Sequence, residues 1–245
     1  MKVGGLYRHP VKSHGREALD AVTLRAGEPM PFDRLWAIAH DQSRAEPGDW
    51  AACVNFSRVS KAPALMAITA VYDEGRGTLT LSHPKRPDIT LDPDTEGAAL
   101  VEWTLPLVPQ DRAQPAQVLR LGGRGYTDSD FPSVTLCNSA SHRAVEDRMG
   151  RTLSIHRWRG NIWIDDADPW AEFDWIGREI AVGDAVLRGV ERTDRCLATT
   201  ANPDTGARDA DTLAALDGFG HRDFSIRCEV LQGGDVRLGD PVAPR

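Results

Sequence analysis

Short β-like runs dominate the pattern of apolar and polar positions along this chain. They fall at about 67–72, 78–81, 118–121, 133–137, 161–164 and 179–182, each bounded by turn-forming residues, and predict β-strands. Asp73-Glu74-Gly75-Arg76-Gly77 lies between two of these runs and reads as the loop of a β-hairpin. Helical spacing is scarcer. The clearest helix covers about 141–149, with Ser139 or Ser141 as the N-cap, Val145 and Met149 sharing a face, and Gly150 as the stop. A second short helix is expected at 211–216. Many short strands with few helices predict an α+β, mainly β fold with barrel-like parts.

Pro106, Pro109 and Pro115, followed by Gly122-Gly123-Arg124-Gly125, have the composition of a connection, and the chain divides into expected domains at 1–115 and 116–245. The Gly-rich piece can cradle a phosphate or serve as a plain loop. It has neither P-loop nor dinucleotide spacing, which favours the loop.

The formal net charge of −7 argues against a nucleic-acid partner, which would need a basic footprint. A few basic residues in one pocket can still hold a phosphate against an acidic background. The first ten residues lack a signal-peptide core, and no later run approaches the ~20 apolar residues of a membrane helix. The expectation is a soluble, cytoplasmic protein with no membrane insertion. Cys53, Cys137, Cys196 and Cys228 form no CxxC pair. They read as free thiols, and their spacing disfavours a structural zinc or iron–sulfur site. His9, His14 and His142 share no metal-ligand spacing.

The most informative stretch runs from Glu191 to Gly206. Asn202-Pro203-Asp204-Thr205-Gly206 is a turn signal. Cys196 precedes it, beside Arg195 and near Arg192, and a positive setting favours the thiolate, the form that binds soft metals. Taken alone, the same cysteine also fits a small apolar residue beside a turn.

Its neighbours change that balance. Arg195-Cys196 followed by Thr199-Thr200 and the Asn-Pro-Asp-Thr-Gly turn resembles the signature of the MOSC-domain family. Trp158-Arg159-Gly160-Asn161-Ile162 is similar to that family's aromatic-Arg-Pro-Asn segment, and Trp170-Ala171-Glu172-Phe173-Asp174-Trp175 to its Glu-containing run ending in Trp. Ile180-Ala181-Val182-Gly183-Asp184 and the closing Gly239-Asp240-Pro241-Val242 match further elements, as does Asp130-Phe131-Pro132 through Ser141. In the first half, Tyr7-Arg8-His9-Pro10-Val11-Lys12-Ser13 and Asp33-Arg34-Leu35-Trp36 resemble the family's associated N-terminal β-barrel domain. The likeness covers nearly the whole chain in order. By layout it is similar to bacterial YcbX-type proteins and mitochondrial amidoxime-reducing components.

The resemblance implies a molybdenum cofactor, a pterin bound to molybdenum, with Cys196 as catalytic thiolate and metal ligand. Lys12, Ser13, Arg34, Arg159, Asn161 and Arg195 would bind the pterin and its phosphate. Arg supplies planar bidentate donors, Lys a point charge, and Asn both a donor and an acceptor. Read without the resemblance, the same arginines fit surface ion pairs, and Ser13 and Asn161 fit turn hydrogen bonds. Glu172 beside the aromatic run suits either proton movement or structure.

The implied activity is reduction of small N-hydroxylated substrates, N–OH to N–H. No dinucleotide or iron–sulfur motif is present, so electrons are expected from a separate ferredoxin, flavoprotein or cytochrome. The alternatives are a carrier of the cofactor or its sulfur without turnover, and a ligand-binding module. The chain departs from the family pattern in three places, one of them His14, beside Lys12-Ser13 at a position that varies among relatives. Gly160 replaces the usual Pro and should loosen the loop bearing Arg159. Thr193-Asp194 replaces Cys-Ser and sets a carboxylate where an anionic cofactor is expected.

Overall fold

A computed structural model describes residues 1–245. Its strands are β1 (Lys2–Arg8), β2 (Glu17–Leu19), β3 (Ala21–Leu24), β4 (Trp36–His40), β5 (Thr69–Asp73), β6 (Thr78–His83), β7 (Arg86–Leu91) and β8 (Pro115–Arg120). They continue with β9 (Val134–Asn138), β10 (Ile162–Asp165), β11 (Glu179–Val182), β12 (Ala185–Asp194), β13 (Asp223–Gln232), β14 (Gly234–Arg237) and β15 (Val242–Pro244). The helices are α1 (Gly97–Thr104), α2 (Ser139–Met149) and α3 (Thr212–Asp217). The architecture is α+β and mainly β, as the sequence pattern implies.

An eight-stranded sheet in the order β15-β11-β12-β13-β9-β10-β1-β2 forms the larger body. Neighbours are antiparallel except β9 and β10, which run parallel with α2 in the crossover between them. Its apolar face is covered by Leu136, Ile162, Ile164, Leu187, Ile226 and Val230, with Val3, Leu6, Leu24 and Met30 from the start of the chain. A second core gathers Trp36, Ile38, Leu65, Met66, Leu79, Leu81, Leu100 and Trp103, and takes in Ala201 from the far half. Each half therefore contributes side chains to the other's core. That exchange fixes the cleft between them.

The position 115/116 coincides with the start of β8, which pairs with β4 from Trp36↔Arg120 to His40↔Pro115. The segment that reads as a connection is thus partly a strand, because Val118 and Leu119 have an apolar neighbour strand to pair with. β1 and β2, from the start of the chain, join the sheet of the second half.

The hairpin between β5 and β6 forms where expected. Asp73 Oδ1 accepts from the backbone N–H of Gly75 and Arg76, and Gly77 takes φ +70° to close the turn. α2 starts earlier than the sequence suggests. Asn138, not a serine, is its N-cap, accepting from Ala140 N at 2.9 Å, and Gly150 ends it in the left-handed region. Ser141 instead bonds Glu172 at 2.9 Å. α1 was not foreseen: its short Gly-Ala-Ala start gives little periodicity, although Leu100, Trp103 and Thr104 bury one face.

Candidate functional site

The Arg157–Arg159 and Thr193–Cys196 segments of the second half face Lys12, Ser13 and Arg34 of the first across a cleft of about 200 Å³. Lys12, Ser13, Arg34, Arg159, Arg195 and Cys196 line it. A smaller, wholly polar recess of about 50 Å³ continues it inward and adds Asn161. The two share Arg34, Asp128, Arg159, Thr193, Arg195 and Arg227. The seven residues that the resemblance assigns to the cofactor and the metal therefore meet in one place.

Strain accompanies this convergence. Ser13 (φ 65°), Arg34 (φ 54°) and Arg159 (φ 49°) all lie in the left-handed region, which costs a residue with a Cβ about 1–2 kcal/mol. Ser225, which receives a bond from Arg195, does too (φ 72°). Such residues persist where the surroundings over-determine them, typically at ligand sites. Arg159 follows the 3₁₀ turn Ile155–Trp158, whose entry is capped by the Ser154 hydroxyl accepting from His156 N. Arg34 sits on a carboxylate support: Asp33 is fully buried, accepts from His9 N at 2.6 Å, and pairs with the Arg34 guanidinium. Burial alone would raise the Asp33 carboxyl, but Arg34 and His9 outweigh it and hold Asp33 far below the usual carboxylate range.

Free donors are unevenly distributed. Arg195 is fully engaged, donating to Phe224 O (2.7 Å), Trp158 O (2.8 Å) and Ser225 Oγ (2.7 Å), and lies over the Trp158 ring. Asn161 joins two strands: its Oδ1 accepts from Thr135 N at 3.0 Å and its Nδ2 donates to Tyr7 O at 3.2 Å. Both residues shape the cleft mainly through bonds to the backbone, with the Ser225 hydroxyl as Arg195's one side-chain partner. Lys12 is buried and bonds Tyr126 O (2.6 Å) and Asp128 Oδ1 (2.5 Å). Arg159 differs. One of its nitrogens bonds Gly15 O at 3.2 Å, while Nη2 is buried with no partner. Burial, then the neighbouring Arg34, pushes its pKa down to about 9. The Thr193 hydroxyl is likewise buried and unpartnered.

Two unpartnered donors in a recess lined by arginines suit an oxygen-rich anion. Beside them Cys196 is the one exposed thiol, whereas Cys137 and Cys228 are buried, and burial raises the Cys137 pKa to about 12. A thiol able to serve as a thiolate ligand, next to an anion recess, fits a phosphorylated pterin carrying a thiolate-binding metal. The residues present therefore fit a molybdenum cofactor.

Sequence reasoning missed Arg58, Asp128 and Arg227 as cleft residues, and placed Thr193 there only as part of a departure from the family pattern. Asp128 follows the Gly-rich loop, and its bond to Lys12 crosses between the halves. Arg227 reaches the cleft only because β13 pairs with β12. Glu172, by contrast, is buried away from the cleft and accepts from Asn138 and Ser141, a structural pin for the start of α2. Gly160 does not loosen the Arg159 loop. A Cβ there would stand 2.1 Å from Cys137 Sγ, so the missing side chain lets the loop press against β9.

The family model described as the MOSC N-terminal beta barrel domain matches residues 1–130, and that of the MOSC domain matches 126–243. Mitochondrial amidoxime-reducing component 1 of Mus musculus is 29% identical over 161 residues, covering 60% of this chain and 46% of the relative. Its Homo sapiens counterpart is 30% identical over 127 residues, covering 46% and 37%. The chain thus spans less than half the length of these curated relatives. Among solved structures, the YUAD protein from Bacillus subtilis is 15% identical, with a TM-score of 0.49 over 98% of this chain and 93% of that one.

Proposed function

The chain belongs to the MOSC family, and from that premise we propose that it is a molybdenum-cofactor oxidoreductase that reduces N-hydroxylated substrates with electrons from a separate donor protein. The observation that carries this reading is the pairing of an unpartnered Arg159 Nη2 with an exposed Cys196 thiol in one cleft. The names of the relatives support the choice of substrate class.

When bound, the cofactor supplies two-electron chemistry at molybdenum. The chain's own groups do the rest. Arg159, Arg34, Thr193 and Ser13 would hold the phosphate and pterin, and Cys196 would supply the sulfur ligand. Arg195 and Asn161 keep the walls in register through their backbone bonds. Lys12 and Asp128 tie the two halves across the cleft. For an amidoxime, two electrons and two protons break the N–O bond and give an amidine and water.

The test supplies cofactor-loaded protein with a chemical reductant, such as reduced methyl viologen, and measures conversion of benzamidoxime to benzamidine. Turnover that depends on the protein and is lost in Cys196→Ser supports the reading. Loaded protein with no turnover of amidoximes or hydroxylamines removes it in favour of a carrier.

A further inference from the structure

Residues 193–196 leave the sheet just past a pairing irregularity between Arg192 and Asp194, and their burial alternates: Thr193 is buried, Asp194 exposed, Arg195 half-buried and Cys196 exposed. β12 ends at Asp194, and Cys196 keeps extended angles of φ −116° and ψ −179°. The Thr193 side chain is buried and faces the recess, and Arg195 turns inward to Phe224, Trp158 and Ser225. Asp194 and Cys196 are exposed. In an extended chain, residues i and i+2 share a face with Cα atoms no more than ~7 Å apart. A carboxylate therefore stands beside the thiol on the open face of the cleft.

The charges of the cleft are layered. Its basic groups are sunk: side-chain exposure is 3% for Lys12, 14% for Arg34 and 13% for Arg227. Its acidic groups stand at the mouth, Asp128 at 54% and Asp194 at 83%. Asp128 is neutralised by Lys12. Asp194 has no comparable partner. Its nearest cation, Arg227, binds Glu191 at 2.7 Å and reaches Asp194 only at 3.5 Å. Arg58, the other basic residue of the outer wall, donates to Cys53 Sγ at 3.2 Å.

We infer that Asp194 is a specificity-determining residue that makes the open face of the cleft prefer cationic ligands over neutral ones of the same shape. A basic floor suits an anionic cofactor, and a carboxylate beside the metal-binding sulfur suits the opposite charge in whatever approaches from solvent. The amidine released by N–O cleavage takes up a further proton near neutral pH, so the product carries that charge. The role in specificity rests on the reductase reading; the charge preference is a property of the cleft that binding alone measures.

The experiment measures binding of benzamidinium and of neutral benzamide to cofactor-loaded protein by calorimetry, for wild type, Asp194→Asn and Asp194→Glu, at low salt. Molybdenum content is checked for each variant. An ion pair at this exposed position predicts binding of the cation about twofold to fivefold tighter than of its neutral isostere. Asp194→Asn should abolish that difference, Asp194→Glu should restore most of it, and added salt should narrow it. Equal binding of both ligands by wild type, or a preference that survives in Asp194→Asn, overturns the inference. Benzamidoxime turnover by the same preparation separates the two claims. A charge preference without turnover removes only the reductase reading, and turnover without a charge preference removes only this one.

Discussion

Arg34 Nη2 donates to the backbone carbonyl of Arg159 at 3.0 Å, and both residues hold left-handed backbone conformations. One comes from the first half of the chain and the other from the second, so a single bond fixes the Arg34 guanidinium against the backbone that presents Arg159. The strain at each is maintained by neighbours: Asp33 below Arg34, and the capped turn before Arg159.

Strain and binding separate by substitution at Arg34. Arg34→Ala and Arg34→Gly both remove the guanidinium and should lower cofactor retention to the same extent. Glycine adopts φ 54° without the Cβ penalty, so Arg34→Gly should be about 1 kcal/mol more stable than Arg34→Ala in urea denaturation of cofactor-free protein. Equal stabilities would show that the left-handed geometry is not a constraint here.

Thr193 carries a buried hydroxyl without a partner. Thr193→Val keeps the shape and removes the unsatisfied group. Cofactor-free protein should gain stability, on the order of 1 kcal/mol, while cofactor-loaded protein should lose the metal faster on dialysis. Slower loss from the valine variant would show that the hydroxyl takes no part in holding the ligand.

Gly160 and Cys137 should behave as a coupled pair. Gly160→Ala sets a methyl against Cys137 Sγ and should destabilise by about 1–3 kcal/mol. Removing the sulfur in Cys137→Ala leaves Cβ as the nearest atom, at 3.5 Å, and should recover most of that loss in the double variant. A double-mutant cycle in urea measures the coupling, and strict additivity would contradict the contact.

Acid should destabilise the fold through buried neutral histidines. Burial, foremost, lowers His9 to about 3 and His14 to about 4, against ~6.5 in the unfolded chain. A depressed folded pKa means that the unfolded state takes up protons first. The stability contributed is present in full above about pH 6.5 and is lost as pH falls toward 4. Each histidine should contribute a slope of about 1.4 kcal/mol per pH unit within that window. Urea titrations at pH 7, 6 and 5 on wild type and His14→Leu measure it, and an unchanged slope in the variant contradicts the assignment for His14.

The site was legible because its residues sit in ordered local motifs: Lys12-Ser13, Asp33-Arg34, Arg159-Gly160-Asn161 and Arg195-Cys196 all reach one cleft. What each group does there was not legible. Arg195 and Asn161 look like ligand donors in sequence, yet their bonds go to backbone atoms brought in from β1, β9 and β13. Asp194 reads as a threat to an anionic cofactor until the alternation of the strand turns it outward and Thr193 inward. The hairpin at 73–77 and the stop at Gly150 follow from local turn chemistry. The pairing of β8 with β4 and the entry of β1 into the far sheet depend on partners distant in sequence, which periodicity alone does not identify.

The most direct test is molybdenum per chain, by elemental analysis, after expression in a molybdate-supplemented host whose cofactor synthesis is confirmed, for wild type and Cys196→Ser. The account predicts near-stoichiometric molybdenum in wild type and reduced retention in Cys196→Ser, with reductase turnover lost and the fold intact. A folded wild type without molybdenum contradicts it, as does a Cys196→Ser protein that is metal-replete and fully active.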